Sequence, residues 1–121
     1  MSVDLSEQWR ELLAQHARTT CALDEALGEF GLGVSEFEVL DRLAHDCGEQ
    51  PRMQELGPLL HLSQSALSRT VGRLEKDGLV VRSMCPDDRR AIAVCMTPQG
   101  RECYEAALPV HRRVLAENLS S

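Results

Sequence analysis

Between Ser63 and Thr97 the chain reads as one capped amphipathic helix running directly into two β-prone segments, and few folds accept that order. Ser63 is a residue whose hydroxyl can accept a backbone N–H in the first turn. Leu67, Val71 and Leu74 recur at i, i+4 and i+7, and Gly78 stands where a left-handed C-terminal cap belongs. Leu79 to Cys85 and Ala91 to Thr97 are rich in β-branched and small apolar residues, and Pro86-Asp87-Asp88 between them is turn chemistry. The pattern predicts a helix and then a β-hairpin.

The flanking segments are helical by the same criteria. Leu5, Trp9, Leu12, Leu13, His16, Thr20, Leu23, Leu27 and Phe30 recur at three- and four-residue steps, giving one continuous stripe along a first helix that ends near Gly28 to Gly33. Ser35 with Glu38 forms a capping box for a second helix. Phe37, Leu40 and Leu43 make its buried face, and the stop falls around Cys47-Gly48. Arg52 to Leu62 reads as a short third helix in which Gly57-Pro58 is awkward, because proline lacks a donor and restricts the residue before it. Thr97-Pro98 supplies the N-cap and first position of a last helix running to about Asn118.

Two short helices joined by a tight turn and followed by a hairpin with a charged tip have the order of a winged helix-turn-helix. The fold class expected is mainly α with a small β-hairpin wing. The chain reads as a single domain over residues 1–121, with a lobe at about 35–97 and flanking helices at about 5–30 and 98–119. With Leu67, Val71 and Leu74 turned inward, the outer face of the capped helix carries Gln64, Ser65, Ser68, Arg69 and Arg73. Short donors let a helix approach a major groove, and arginine bonds guanine edges bidentately. An ordinary amphipathic helix with a wet face satisfies the same pattern. In the wing, Asp88 precedes Arg90 by two residues, beside Arg89. A carboxylate there can hold a guanidinium in the pose that suits a narrow minor groove. A solvated polar turn is the plainer reading.

A chain of 121 residues that is 43% hydrophobic supports one core. No stretch approaches the ~18 apolar residues of a membrane span, and the N-terminus is acidic and polar, so a cytoplasmic protein is expected. The net charge of -6 argues against a nucleic-acid partner until its distribution is considered. Residues 1–50 hold 11 acids and 3 bases, whereas residues 63–90 hold 6 bases and 4 acids. That is the charge pattern of one DNA-facing edge on an acidic body. The five cysteines include no C-x-x-C pair, and the histidines have no metal-closing spacing, so reduced thiols and no metal or cofactor are expected. Burial as a small hydrophobe is the expected role of Cys21, Cys95 and Cys103, while Cys85 beside the wing is expected to be exposed. No nucleophile elbow, phosphate loop or zincin motif occurs, which speaks against an enzyme.

Leu62-Ser63-Gln64-Ser65-Ala66-Leu67-Ser68-Arg69-Thr70-Val71, then Leu74-Glu75-Lys76-Asp77-Gly78-Leu79-Val80, resembles the recognition helix and first wing strand of the MarR family. Asp87-Asp88-Arg89-Arg90 and Met96-Thr97-Pro98-Gln99-Gly100 resemble that family's wing and the start of its fifth helix. The resemblance covers about Leu5 to Leu119. It implies a homodimer, formed through the N- and C-terminal helices, that binds pseudo-palindromic double-stranded DNA. Such a regulator usually represses, and a small, often aromatic ligand alters its affinity. By carry-over, Ser65, Ser68 and Arg69 meet bases and phosphates with Gln64 and Arg73 nearby, and Arg90 enters the minor groove oriented by Asp88. Two features depart from the family pattern: it commonly has a further helix past the position of Ser121, and Gly57-Pro58 replaces a smoother helix. The alternatives are a winged-helix protein-interaction module and a regulator that senses oxidants through a cysteine such as Cys21.

Overall fold

A computed structural model of the chain describes the backbone of residues 4–45, 51–85 and 88–119, with side chains described outside residues 85–91. The order is α1 (Leu5–Leu27), a 3-10 turn (Gly28–Phe30), α2 (Val34–His45), α3 (Met53–Leu60), α4 (Gln64–Lys76), β1 (Val80–Cys85), β2 (Asp88–Met96) and α5 (Pro98–Leu119). The fold is mainly helical with one antiparallel hairpin, the class read from the sequence. It divides into two compact units: one holds the chain up to Val34 and from Ala107 onward, the other Ser35–Ala106.

In the first unit, Asp4 caps α1 by accepting the Ser6 N–H at 2.9 Å. Of the expected apolar stripe only Leu23 and Leu27, in its second half, are buried, and Thr19 lies inside in place of the expected Thr20, which is half-buried. Leu5, Trp9, Leu12 and Leu13 are 75%, 60%, 54% and 47% exposed. Cys21 is exposed, contrary to the expected burial, because two residues from both Thr19 and Leu23 is roughly 200° around a helix. The chain leaves α1 through Gly31, whose φ of 74° is the left-handed conformation glycine adopts without strain. The Leu32 N–H then closes on the Leu27 carbonyl at 3.1 Å. The later part of α5 buries Ala107, His111 and Val114 at i, i+4 and i+7, with Arg112 Nη1 2.7 Å from His111 Nδ1.

In the second unit, α2 buries Phe37, Val39, Leu40 and Leu43. Its first residue, Val34, is the last of the first unit's leading segment, so Ser35 lies inside the first turn and is not the cap. The Asp24 carboxylate instead takes the Val34 N–H at 3.1 Å, meeting one of the donors a helix start leaves open. The stop expected at Cys47-Gly48 lies outside the described residues. Phe37 stacks on Tyr104 of α5 with ring centroids 5.5 Å apart, and the Tyr104 hydroxyl donates to Asp41 Oδ1 at 2.7 Å.

The hairpin register runs from Val80 opposite Met96 to Met84 opposite Ile92, then shifts so that Cys85 pairs with Asp88. Strand β2 therefore begins at Asp88, three residues before the expected Ala91. An isolated bridge joins Arg52 to Ala93, and the Val94 N–H donates to the Pro51 carbonyl at 3.0 Å, so β2 has partners on both sides.

Candidate nucleic-acid interface

The elements that present the outer face of α4 are fixed by local chemistry. The α3 helix ends at His61, which takes the left-handed conformation (φ 57°, ψ 37°), and the Leu62 N–H bonds back to the Gly57 carbonyl at 2.9 Å. Ser63 then starts α4, its Oγ accepting the Ala66 N–H at 3.1 Å. A side-chain cap of this kind stabilises a helix by about 1 kcal/mol. The turn between the two helices is thus only His61 to Ser63. Its tightness explains Gly57-Pro58, which the sequence reading found awkward: a Cβ at position 57 would lie 2.7 Å from Gln64 Nε2 and 3.1 Å from the Leu62 carbonyl oxygen. Lacking a Cβ, Gly57 also relieves the clash proline imposes on its predecessor, so α3 continues through Pro58.

Helix α4 buries Leu67, Thr70, Val71 and Leu74 and ends as the sequence predicts, with Gly78 left-handed at φ 77°. The Leu79 N–H closes on the Leu74 carbonyl at 2.9 Å. Removing such fully buried leucines typically costs about 2–5 kcal/mol, so the outer face rests on a rigid support. Gln64, Ser65, Ser68, Arg69 and Arg73 are all exposed and share that face. Ser65 Oγ lies 3.2 Å from Ser63 Oγ. Arg73 Nη1 is 3.9 Å from Glu36 Oε1 with its side chain 66% exposed, a loose pair that leaves the guanidinium available. No partner holds Arg69 among the described residues.

The hairpin is anchored against this helix at two points. At its base, Thr97 Oγ1 donates to the Gly78 carbonyl at 2.6 Å and accepts the Gly100 N–H at 3.0 Å, capping α5. A Cβ at Gly100 would collide with the Leu79 carbonyl, which is the physical content of the Thr97-Pro98-Gln99-Gly100 motif. Midway along β1, Arg82 Nε lies 3.0 Å from Glu75 Oε1, and its Nη2 donates to the Ser68 carbonyl at 3.3 Å. Sequence reading counted Arg82 only as a positive charge, since its partners lie 7 and 14 residues away across an element boundary. Asp88, Arg89 and Arg90 lie in β2, but the side-chain pose expected of Asp88 and Arg90 falls outside the described residues, as does the side chain of Cys85.

Of the other thiols, Cys95 and Cys103 are half-buried. Burial, and secondarily the negative charge of Asp77, push the Cys103 thiol above its ordinary value of 9.0. A thiol so placed forms little thiolate at neutral pH, the opposite of what oxidant sensing requires.

A capped second helix with an exposed donor face, a three-residue turn before it and a braced hairpin after it define a winged helix-turn-helix. The model of the MarR family matches residues 32–92. The chain belongs to the MarR family of winged-helix transcriptional regulators. Among curated relatives, the HTH-type transcriptional regulator MhqR of Bacillus subtilis is 30% identical over 98 residues, covering 81% of this chain and 66% of that protein. An uncharacterized HTH-type regulator of the same organism, YkoM, is 30% identical over 92 residues, 76% of this chain and 58% of its own length. The chain thus spans about three-fifths of the length of these relatives. AbsC, a MarR family transcriptional regulator from Streptomyces coelicolor, superposes with a TM-score of 0.86 at 30% identity, over 98% of this chain and 81% of its own. Sco3205 from the same organism, whose structure is a complex with DNA, gives 0.86 at 29% identity over 98% and 76%. CouR from Rhodococcus jostii RHA1, bound to p-coumaroyl-CoA, gives 0.80 at 29% identity over 96% and 81%.

Proposed function

We propose that this chain is a transcriptional repressor that binds pseudo-palindromic duplex DNA as a homodimer and is released by a small ligand, aromatic in part. The observation that carries the reading is the outer face of α4: five exposed polar or cationic side chains on a helix whose other face is wholly buried, with Arg69 unpartnered among the described residues. A helix so supported enters a major groove as a unit. Gln64, Ser65 and Ser68, near its start, can bond base edges or phosphates, Arg69 can bond a guanine edge bidentately, and Arg73 sits where it reaches the backbone. Asp88, Arg89 and Arg90 of the wing are assigned to the adjacent minor groove, with Asp88 orienting Arg90. The DNA in the Sco3205 structure and the acyl-CoA in that of CouR support the partner and the ligand class.

In this reading residues 1–121 form a single winged helix-turn-helix domain, with a DNA-binding lobe at about 35–97 and dimerisation helices at about 5–30 and 98–119. The exposed Leu5, Trp9, Leu12 and Leu13 are the apolar surface a second copy would cover. A two-fold dimer places two recognition helices on half-sites one helical turn apart, about 34–36 Å. The protein acts in the cytoplasm and catalyses no reaction. Among the described residues no helix is long and apolar enough to cross a membrane. Selection of bound duplexes from a random pool tests the proposal: an inverted repeat is expected, and recovery of no enriched sequence would overturn it in favour of an interaction module.

A further inference from the structure

We infer that Arg82 is a positioning residue, a strut that sets the angle between the wing and the recognition face so that both engage DNA together. The inference rests on the DNA-binding reading above. Ser68, Gly72 and Glu75 follow one another at i, i+4 and i+7, a stripe that shares Ser68 with the outer face of α4 and lies away from the buried Leu67, Thr70, Val71 and Leu74. The Arg82 guanidinium lies along that stripe. Its Nη2 donates to the Ser68 carbonyl at 3.3 Å and its Nε lies 3.0 Å from Glu75 Oε1. At Gly72, between them, a Cβ would stand 3.7 Å from Nη2, an ordinary contact, so the seat of Arg82 does not depend on the glycine. The Arg82 side chain is 27% exposed and that of Glu75 39%, so the pair is partly shielded from solvent screening. Ser83 and Met84, the next residues toward the tip, are exposed. The Arg82 Nε is buried and makes no hydrogen bond among the described residues, so it meets Glu75 as an ion pair while Nη2 donates to Ser68; a lysine ammonium offers a single point in place of these two.

A direct phosphate contact by Arg82 is the competing role, and the two predict opposite signs at Glu75. If Arg82 meets a phosphate, Glu75→Gln removes a negative charge from the DNA-facing edge and binding tightens. If Arg82 is a strut, Glu75→Gln releases the wing, and ordering it again on binding weakens affinity by about three- to tenfold. The probe is a labelled duplex recovered by selection on the wild-type protein, titrated at several salt concentrations.

Under the strut, Arg82→Lys keeps the charge yet weakens binding to a similar degree, with the slope of affinity against salt unchanged. The Glu75→Gln/Arg82→Lys double variant is then no weaker than the weaker single variant, because both remove one coupling. Tighter binding by Glu75→Gln, or additive effects in the double variant, assigns Arg82 to the backbone and overturns the inference. Should Glu75→Gln fail to fold, Glu75→Asp keeps the charge and shortens the reach: weaker binding supports the strut and unchanged binding rejects it. A wild-type protein that binds no duplex removes the DNA-binding reading and this inference with it. Tight wild-type binding that is indifferent to Glu75→Gln removes the strut alone.

Discussion

Thr97→Val tests how the wing base and α5 are joined, because valine keeps the shape of threonine and removes only the hydroxyl. That hydroxyl donates to the Gly78 carbonyl at 2.6 Å and accepts the Gly100 N–H at 3.0 Å. Losing the cap costs about 1 kcal/mol. Losing the bond to the part-buried Gly78 carbonyl costs about 1 kcal/mol more, since water regains that oxygen only partly. The sum is about 2 kcal/mol, a fall of about 1 M in the urea midpoint for a slope of about 2 kcal/mol per M. Urea unfolding followed by circular dichroism, at one fixed protein concentration because a dimer's stability depends on it, measures the shift. Thr97→Ser retains both hydrogen bonds and should stay within about 0.5 kcal/mol of wild type, the ordinary range for benign substitutions. A valine variant as stable as wild type, or a serine variant as weak as valine, would refute the reasoning.

Gly100→Ala should destabilise by at least about 1–3 kcal/mol, as overpacking against backbone does, since its Cβ meets the Leu79 carbonyl. Gly72→Ala, whose Cβ finds only ordinary contact at 3.7 Å, should stabilise by about 0.5–1 kcal/mol, and chemical unfolding of both separates the two glycines. Trp9→Glu should convert a dimer to a monomer in sedimentation at micromolar concentration, because it puts a charge in the exposed apolar stripe; a wild-type monomer would reject that interface. Iodoacetamide at pH 8 should modify Cys21 well before Cys103, read by peptide mass spectrometry, because burial and Asp77 raise the Cys103 thiol. The same shift makes the Cys103 contribution to stability fully present below its unfolded value, near 9.0, and lost as pH rises through the folded one.

Local chemistry was readable and non-local geometry was not. Ser63 and Gly78 bound α4 as predicted because caps act on the residues beside them. Thr97 and Pro98 start α5 for the same reason. Gly57 looked like a flaw because its purpose is the approach of Leu62 and Gln64, a fact about two helices meeting. The start of α2 moved to Val34 because the carboxylate that meets its N–H, Asp24, is ten residues away. Arg82 escaped notice for a similar reason: its partners lie on the preceding helix, and no periodicity spans the helix and the strand. Cys21, expected inside as a small hydrophobe, faces outward because it stands two residues from both Thr19 and Leu23 on the helix. The outer face of α4 was legible throughout, since burial of Leu67, Val71 and Leu74 leaves Gln64, Ser65, Ser68, Arg69 and Arg73 no other direction.

That face carries the central claim, and Arg69→Ala tests it most directly. Affinity is measured for wild type and variant on the duplex recovered by selection and on random-sequence duplex, at one salt concentration. An arginine paired with a guanine edge accounts for about 1–3 kcal/mol of discrimination, whereas a phosphate contact weakens all sequences alike. The account predicts a loss of about 5- to 150-fold on the selected duplex and a much smaller loss on random DNA. Equal losses on both, or none on either, would contradict the claim that this face of α4 reads sequence.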